Sequence, residues 1–279
     1  MDSLITPFQN AFIHSRLVTD NILLAHKIYD YMRKKKKEKW WFGTLKLDMQ
    51  KAYDKIEWSF LRAILNNMGF PTNWIHWVMQ CVSTVSYHIL INGSPSNTFL
   101  HSRGLRQGDP LSPYLFILCA NVLSCALIKN EQNNDIKDIK IGKNCPAFTH
   151  LFFADDSLLF FKDDPKTIST LQQTLHWYYD LSGQKFNARK SELFYTPNIS
   201  PDRQQVLSST LGFKLVNQPG RYLGINFCMR GRKAVNFEEL VEKISNKFQG
   251  WKTKLLTEAG SHTYQFCLPI LTGLLFFLI

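Results

Sequence analysis

The strongest constraint in this sequence is a pair of adjacent acids between two apolar runs, in the segment THLFFADDSLLFF at residues 149–161. Each run has the length and composition of a buried β-strand. We therefore predict a tight hairpin with Asp155 and Asp156 at its tip. Carboxylates beside buried strands are costly to desolvate without a counter-charge, and magnesium prefers hard oxygen ligands of this kind. The alternative interpretation is an ordinary turn that carries two solvated acids.

Composition limits the class of protein. The chain has 279 residues, of which 45% are hydrophobic, so it can bury a substantial core. Lysine and arginine number 33 against 22 acids, a net charge of +11 that favours nucleic acid over a membrane as partner. The six cysteines have no metal-binding spacing and are predicted to be buried thiols in a reducing compartment. We expect an intracellular protein, cytoplasmic or nuclear, that is not secreted.

The order of predicted elements favours an α+β fold rather than a doubly wound sheet. Helices are predicted near residues 19–28 (capped by Thr19 or Asp20), 58–68, 72–82 (capped by Thr72), 113–129, 165–182 and 237–256. Strands are predicted at 44–49, 85–91, 98–100, 192–195 and 221–225, with Asn92-Gly93 as a hairpin turn. Residues 133–144 are predicted to be a polar linker. The basic run 33–39 is a nuclear-localisation or phosphate-binding patch, or else a solvated loop, which the pattern favours.

A third acid, Asp48, ends the first predicted strand, and in a small sheet this strand end can lie beside the acidic hairpin. Three carboxylates there would hold two magnesium ions about 3.5–4 Å apart, which suits phosphoryl transfer. The alternative is that Asp48 is an ordinary acid at a strand end. The loop at residues 103–113 adds Arg103 and Arg106 as candidate phosphate-binding groups. Its Gln107-Gly108 pair would let the backbone approach a base pair closely.

Five motifs in chain order closely resemble those of the reverse transcriptases of LINE-type non-LTR retrotransposons, of the kind common in plant genomes. They are LDMQKAYD at 47–54, RGLRQGDPLSP at 103–113, FADD at 153–156, SGQKFN at 182–187 with Lys190-Ser191, and YLG at 222–224. The resemblance covers about residues 5–259, and its second motif is long and specific. It implies a right-hand polymerase palm with a ferredoxin-like antiparallel sheet and helices. The expected domains are partial fingers at 1–42, the palm at 43–230, and a thumb stub with a diverged apolar tail at 231–279.

The resemblance also implies catalytic roles. Asp48 and Asp155 would be ligands of two Mg²⁺ ions (with Mn²⁺ as a possible substitute), and Asp156 would support the second metal or the primer end. Lys190 would donate a proton to the leaving pyrophosphate. The alternative for Lys190 is a solvated surface lysine.

Substrate contacts are implied in the same way. Tyr53 would lie under the deoxyribose and exclude a ribose hydroxyl, although it is otherwise interpretable as a core tyrosine. Gln107 and Gly108 would contact the nascent base pair and the template. The primer grip would consist of Tyr222, Leu223 and Gly224.

The function implied is RNA-directed DNA polymerisation with an RNA template, a DNA primer and deoxynucleoside triphosphates; the oligomeric state is left open. The alternatives are an inert relic that only binds nucleic acid and a maturase-like splicing factor. Ser15-Arg16 stands where Gly-Arg is usual. We expect the chain to lack the fingers segment before Pro7, the upstream endonuclease, the downstream zinc knuckle and, after Gly260, the thumb helix. We therefore expect weak activity or none.

Overall fold

The structure is a computed structural model that describes residues 4–35, 41–142, 145–227 and Glu242. The chain divides into two compact units, Met1–Asn217 and Gln218–Ile279. The first unit contains the main sheet and six helices in its described part, and the described part of the second contains a short hairpin.

Helices and strands alternate irregularly along the described part of the chain. The helices are α1 (Val18–Lys34), α2 (Trp58–Asn67), α3 (Thr72–Ser83), α4 (Ser112–Gln132), α5 (Pro165–Ser182) and α6 (Pro201–Leu211). The first strands are β1 (Phe42–Leu47), β2 (Ser86–Tyr87), β3 (Leu90–Ile91), β4 (Ser94–Pro95) and β5 (Phe99–Leu100). The others are β6 (His150–Phe153), β7 (Asp156–Lys162), β8 (Glu192–Tyr195), β9 (Lys214–Leu215), β10 (Arg221–Tyr222) and β11 (Ile225–Asn226).

The main sheet has five strands in the order β6-β7-β1-β8-β9. Its first four strands pair antiparallel, and β8 pairs parallel with β9. Helices connect β1 to β6 and β7 to β8, so these four strands follow the ferredoxin-like β-α-β-β-α-β connection. The predicted α+β class with an antiparallel palm-type sheet is confirmed.

Both faces of this sheet are covered, because its strands alternate apolar side chains to either side. On one face α1 packs through Tyr29, whose ring lies 6.4 Å from that of Phe160 and 6.1 Å from that of Phe194. The opposite face supplies the main core, in which strand residues meet helices α2, α4 and α5. Members of this core include Leu45, Leu159, Leu193, Leu61, Phe116 and Tyr178. The sheet is therefore a rigid platform for the residues that follow its strand ends.

Helix α4 passes through the centre of this core. It is long and apolar enough, by length and composition, to cross a membrane, but 61% of its most apolar window is buried inside the protein. Core helices of soluble proteins have the same character, so the pattern is weak support for a membrane span.

A buried polar cluster joins α4 to the start of β6. His150 Nε2 lies 2.6 Å from Ser124 Oγ, and His150 Nδ1 lies 2.8 Å from Thr149 Oγ1. Ser124 Oγ also contacts Thr6 Oγ1 at 2.5 Å, which brings in the segment before α1. Burial lowers the pKa of His150 to about 3, so the imidazole stays neutral in the folded protein.

His150 should therefore make stability depend on pH. Its folded pKa is lowered, so its stabilising contribution is complete above about pH 6.5 and declines as pH falls toward 3, because only the unfolded chain takes up the proton. We expect about 2 kcal/mol less unfolding free energy from this group at pH 5 than at pH 7. Urea unfolding at both pH values measures it. His150→Gln, neutral throughout, is the control; equal pH dependence in both proteins would contradict the prediction.

The prediction that Thr19 or Asp20 caps α1 is wrong by about two residues. The helix begins at Val18, and Leu17, in extended conformation, takes the N-cap position. The Asp20 carboxylate accepts a hydrogen bond from the Leu17 backbone N–H at 3.3 Å. Asp20 thus acts from inside the first turn, as the third helical residue of a capping box does.

Two predicted strands are each interrupted. The strand expected at residues 85–91 is split into β2 and β3, because the Ile89 N–H donates to Ser96 Oγ at 2.9 Å instead of continuing one ladder. The strand expected at 221–225 is a hairpin, because Leu223 and Gly224 adopt left-handed φ values of 48° and 82°. The Asn92-Gly93 turn is confirmed, since both residues have positive φ between β3 and β4.

The sequence interpretation misses α6, which starts after Ser200, whose side chain accepts a hydrogen bond from the Arg203 N–H. Thr72 is the first residue of α3 rather than its cap, a position taken by Pro71. The helix predicted at 237–256 lies, apart from Glu242, outside the described residues.

The prediction that the cysteines are buried is corrected in part. Of the four cysteines in the described part of the chain, Cys119 is buried as expected, whereas Cys81, Cys125 and Cys145 are exposed. A thiol is small enough to lie at the surface with little apolar exposure. The segment predicted as a polar linker, residues 133–144, is anchored in its described part by the buried Ile136 and Ile139.

Candidate active site

The acids predicted from sequence lie at adjoining strand ends. In the β6–β7 hairpin Phe153 pairs with Asp156, which leaves Ala154 and Asp155 as the two turn residues. The last residue of β1, Leu47, pairs with Ser157 of β7. Asp48, one step further, therefore lies beside Asp156 at the same end of the sheet. The predicted hairpin with buried legs is confirmed, but only Asp155 of the two acids lies in the turn, because Asp156 is the first residue of β7.

These acids share one electrostatic environment. Burial raises the pKa of Asp156, the negative charge of Asp155 raises it further, and Asp48 adds to the same effect, while Lys46 opposes it. Like charges that disfavour each other's ionised form are stabilised by a nearby cation. In the described ranges no three His, Cys, Asp or Glu side chains are grouped closely enough to hold a metal ion. The assignment of three metal ligands stays a prediction.

Asp48 and Asp155 open onto a cleft of about 790 Å³. The segment after β1 forms one wall, the loop before α4 forms another, and the turn before β8 contributes the third. The lining residues are Asp48, Met49, Gln50, Lys51, Ala52, Tyr53, Gln107, Gly108, Asp109, Pro110, Pro113, Asp155, Asn187 and Lys190. Six of the predicted site residues therefore share one concave surface.

Tyr53 is held as a flat surface in this cleft. Its ring stacks on Phe116 of α4, with centroids 4.8 Å apart and planes 16° apart, and Phe116 is fully buried. Burial raises the pKa of the Tyr53 phenol, and the charge of Asp155 raises it further, so the hydroxyl stays protonated. A ring fixed in this way can limit the size of a molecule bound beside the acids.

The loop at residues 103–113 is tied to the segment that carries Tyr53. The Leu105 N–H donates to the Tyr53 carbonyl, and the Gly104 N–H to the Ile56 carbonyl, each at 2.8 Å. The Trp58 indole N–H donates to the Gly104 carbonyl at 2.8 Å. These hydrogen bonds couple the position of the loop to that of residues 53–58.

Two glycines give this loop its path. Gly104 has φ 94°, and a Cβ there would lie 2.6 Å from the Asp54 carbonyl oxygen. Gly108 has φ 88° with open space where a Cβ would point. Between them Gln107 donates from Nε2 to Asp54 Oδ1 at 3.2 Å. The loop thus presents Gln107 and bare backbone to the cleft.

The two arginines of this loop lie away from the cleft. Arg103 forms an exposed ion pair with Glu57, at 3.0 Å between Nη1 and Oε1. Arg106 lines a neighbouring cavity of about 290 Å³, which Gln107 also lines. Their assignment as phosphate-binding groups stays a prediction, and the structure brings neither side chain onto the surface that holds Asp48 and Asp155.

The cleft also includes residues that sequence reasoning did not single out. Lys51 adds an exposed cation in addition to the predicted Lys190. Asn187 shapes the turn before β8, since its Oδ1 accepts from the Arg189 N–H and its N–H donates to the Asp48 carbonyl. Both Lys51 and Asn187 lie inside the motifs quoted at 47–54 and 182–187, a signal that could have identified them.

The predicted primer grip belongs to the second unit. Tyr222 ends β10, and Leu223 and Gly224 form the turn to β11. The Tyr222 ring lies 6.2 Å from that of Phe227 within the same unit. Its role as a primer grip stays a prediction.

Comparison with protein families gives one extended match. A sequence model described as "Reverse transcriptase (RNA-dependent DNA polymerase)" matches residues 1–227, which is most of the chain. The match includes the acid-lined cleft and the three walls described above.

Curated relatives come from mobile elements and a plant organelle. A 68-residue stretch is 50% identical to an uncharacterized mitochondrial protein of Arabidopsis thaliana and covers 24% of this chain and 56% of that protein. A retrovirus-related Pol polyprotein from the type-1 retrotransposable element R2 of Popillia japonica is 28% identical over 62% of this chain and 24% of its own. An uncharacterized 149 kDa protein of transposon TX1 from Xenopus laevis is 23% identical over 92% of this chain and 19% of that protein. The chain thus spans between about a fifth and somewhat over half of these relatives.

Among solved structures, the fold is similar to telomerase. The telomerase of Candida tropicalis, solved with a fragment of telomeric RNA, matches with a TM-score of 0.52 at 12% identity, over 80% of this chain and 37% of that one. The Candida albicans telomerase, also solved with such a fragment, matches with a TM-score of 0.51 at 12% identity, over 86% and 38%. At this identity the likeness concerns the fold alone.

Proposed function

Since the chain belongs to the reverse transcriptase family, we propose that it adds deoxynucleotides to the 3′ hydroxyl of a DNA primer paired with an RNA template. The observation that carries this proposal is the single cleft that unites Asp48, Asp155, Tyr53 and Lys190. Acids, a flat ring and a cation on one surface suit a primer end and a nucleoside triphosphate. The chain's excess of positive charge suits the polyanionic partner.

The chemistry of the donor set, although not yet its spacing, suits divalent metal ions. Asp48, Asp155 and Asp156 offer carboxylate oxygens, the ligand type that Mg²⁺ and Mn²⁺ prefer. Burial and then the negative charge of Asp155 raise the pKa of Asp156, and a bound cation would favour its ionised form against both effects. Asp48 and Asp155 would hold two ions, with Asp156 in support. Once bound, the ions would lower the pKa of the primer hydroxyl and offset charge on the transferring phosphoryl group.

The other residues of the cleft would orient the substrate. Tyr53, backed by Phe116, would lie against the sugar, while Gln107 and the open backbone at Gly108 would meet the nascent base pair. Lys190 would hold or donate a proton at the leaving pyrophosphate. Such positioning can supply about 7–11 kcal/mol of a barrier, which is why the rigidity of the cleft walls matters.

Removing the Tyr53 ring should relax sugar selection. We expect Tyr53→Ala to raise the ratio of ribonucleotide to deoxynucleotide incorporation by about tenfold or more, because the space now filled by the ring could take a 2′ hydroxyl. Competitive single-nucleotide incorporation measures this ratio. Tyr53→Phe, which keeps the ring and its stack on Phe116, should leave the ratio unchanged. An unchanged ratio in the alanine variant would return Tyr53 to a purely structural role.

Binding to nucleic acid should weaken steeply with salt. Lysine and arginine contacts release condensed counterions, by roughly 0.7–0.9 per neutralised phosphate, so we expect a log–log slope of a few units for an RNA–DNA duplex. Fluorescence anisotropy across a salt series gives the slope. Lys51→Ala should reduce it by about one, if this cation meets a phosphate. A flat response would mean that the +11 charge serves solubility instead.

The proposal is tested by extension of a DNA primer on an RNA template, alongside binding of the same duplex. Extension supports polymerase function. Binding without extension would favour an inert relic, and promotion of splicing without extension would favour a maturase-like factor. An inert relic and a maturase-like factor would both also bind nucleic acid, so binding alone does not distinguish them from a polymerase.

A further inference from the structure

The segment before α1, residues 4–17, is folded against the acidic hairpin. Gln9 and Phe152 form a parallel bridge, in which the Phe152 N–H donates to the Phe8 carbonyl at 2.8 Å. The Asn10 N–H in turn donates to the Phe152 carbonyl at 3.1 Å. This segment therefore adds a short edge to β6, three residues before Asp155.

The side chain of Gln9 continues from this edge to the hairpin tip. Gln9 is fully buried, and its Oε1 accepts hydrogen bonds from the backbone N–H of Ala154, at 3.1 Å, and of Ala11, at 2.9 Å. Ala154 directly precedes Asp155 and has φ 53°, the left-handed conformation that a residue with a Cβ adopts rarely. A turn of this kind persists only where its surroundings hold it.

Gln9 is poorly explained as a stability residue alone. Its Nε2 is buried and has no hydrogen-bond partner in the part of the chain that the structure describes. An unpaired buried donor lowers the free energy of unfolding. Among the described residues, only the acceptor end of the Gln9 amide makes hydrogen bonds. One of its two hydrogen bonds comes from Ala154, in the turn that precedes Asp155, and the other comes from Ala11 in its own segment.

Arg16 fixes the segment from its other side. Its guanidinium donates to the Thr6 carbonyl at 2.6 Å and to the Gln9 carbonyl at 2.5 Å. The backbone of Gln9 is thus clamped between Arg16 and β6, which leaves its side chain little freedom to retreat from Ala154.

We propose that Gln9 is a positioning residue, which holds the left-handed turn at Ala154 so that Asp155 faces the cleft and thereby sets the affinity of the acid site for a divalent cation. This inference rests on the proposed function of that site. It predicts that loss of the Gln9 acceptor weakens cation binding although Gln9 is not itself a ligand. Groups that orient metal ligands typically change affinity by about 10–100-fold when removed.

The test is Mn²⁺ binding to the full chain, followed by electron paramagnetic resonance, together with thermal unfolding. Gln9→Met keeps the length and removes both the acceptor and the unpaired donor. The matched control is Asn121→Leu, because Asn121 is a buried amide that bonds the same segment, through the Thr6 N–H and the Leu4 carbonyl. We expect roughly tenfold weaker Mn²⁺ binding in Gln9→Met and less than about twofold change in Asn121→Leu. Equal effects of the two variants would overturn the inference.

Asp155→Asn separates this inference from the proposed function. If Asp155→Asn leaves Mn²⁺ affinity unchanged, the proposed metal site fails, and the inference fails with it. If Asp155→Asn weakens binding and Gln9→Met does not, only the role of Gln9 is refuted.

Hydrogen exchange on the unmodified chain keeps the inference testable should Gln9→Met not fold. The Ala154 N–H is predicted to be protected from exchange by at least about tenfold, because its partner is a buried side-chain oxygen. Exchange of Ala154 at the rate of an unstructured peptide would overturn the inference.

Discussion

Asp155→Asn and Asp48→Asn are each expected to reduce single-nucleotide incorporation by more than about a hundredfold while leaving the fold intact. Each change removes a negative charge and keeps the side-chain volume. Metal ions at a phosphoryl-transfer site contribute several kcal/mol, and each 1.36 kcal/mol is about tenfold in rate. Because Asp48 and Asp155 line the same cleft from different elements, both variants should fail in the same way.

A matched control separates chemistry from general loss of charge. Asp180 is an exposed acid on α5, so Asp180→Asn changes the net charge equally and should retain activity. Circular dichroism and thermal unfolding check that all three variants remain folded. Activity of Asp155→Asn within tenfold of the parent chain would remove Asp155 from the proposed metal site.

Gly104→Ala should lower the free energy of unfolding by about 3 kcal/mol or more, a larger effect than that of any other added methyl group in the cleft walls. Two costs add: the left-handed φ of 94° disfavours any residue with a Cβ, and the new methyl would lie 2.6 Å from the Asp54 carbonyl oxygen. Relief requires the loop to move away from Asp54, which would break the hydrogen bonds from Gly104 and Leu105 to the opposite wall. We therefore expect lower activity as well as lower stability.

Gly108→Ala is the comparison, because Gly108 has a similar φ of 88° but open space around its missing Cβ. Gly108→Ala should lower the free energy of unfolding by about 1–2 kcal/mol, the cost of the left-handed φ alone. Urea unfolding of the two variants gives the difference. Equal destabilisation would show that the contact with Asp54 is not the reason for glycine at position 104.

The sequence predicted the elements whose causes are local. The acidic hairpin follows from two apolar runs with the length and composition of buried strands. The predicted start of α5 at residue 165 agrees with Pro165 at the first helical position and with Asp164 before it, whose side chain accepts a hydrogen bond from the Thr167 N–H. The ferredoxin-like sheet followed from the motif resemblance rather than from periodicity. The hairpin and the start of α5 could be predicted without knowledge of contacts between distant residues.

Predictions from the sequence were wrong or missing where the structure depends on an unusual backbone conformation or on residues far apart in the chain. Leu223 turns the chain with a left-handed φ that nothing in its residue type favours, so one predicted strand is a hairpin. The contact of Gln9 with Ala154 spans 145 residues, and Arg103 is paired with Glu57 across 46. In each pair, the residue pattern around one partner gives no information about the position of the other.

The most direct test of the central claim is single-nucleotide incorporation by the unmodified chain, on a DNA primer annealed to an RNA template. The account predicts that, with Mg²⁺ present, incorporation is weak but measurable, that only the deoxynucleotide complementary to the template is added, and that chelation of the metal stops the addition. Tight binding of the same duplex with no incorporation of any nucleotide, in Mg²⁺ or Mn²⁺, would contradict it.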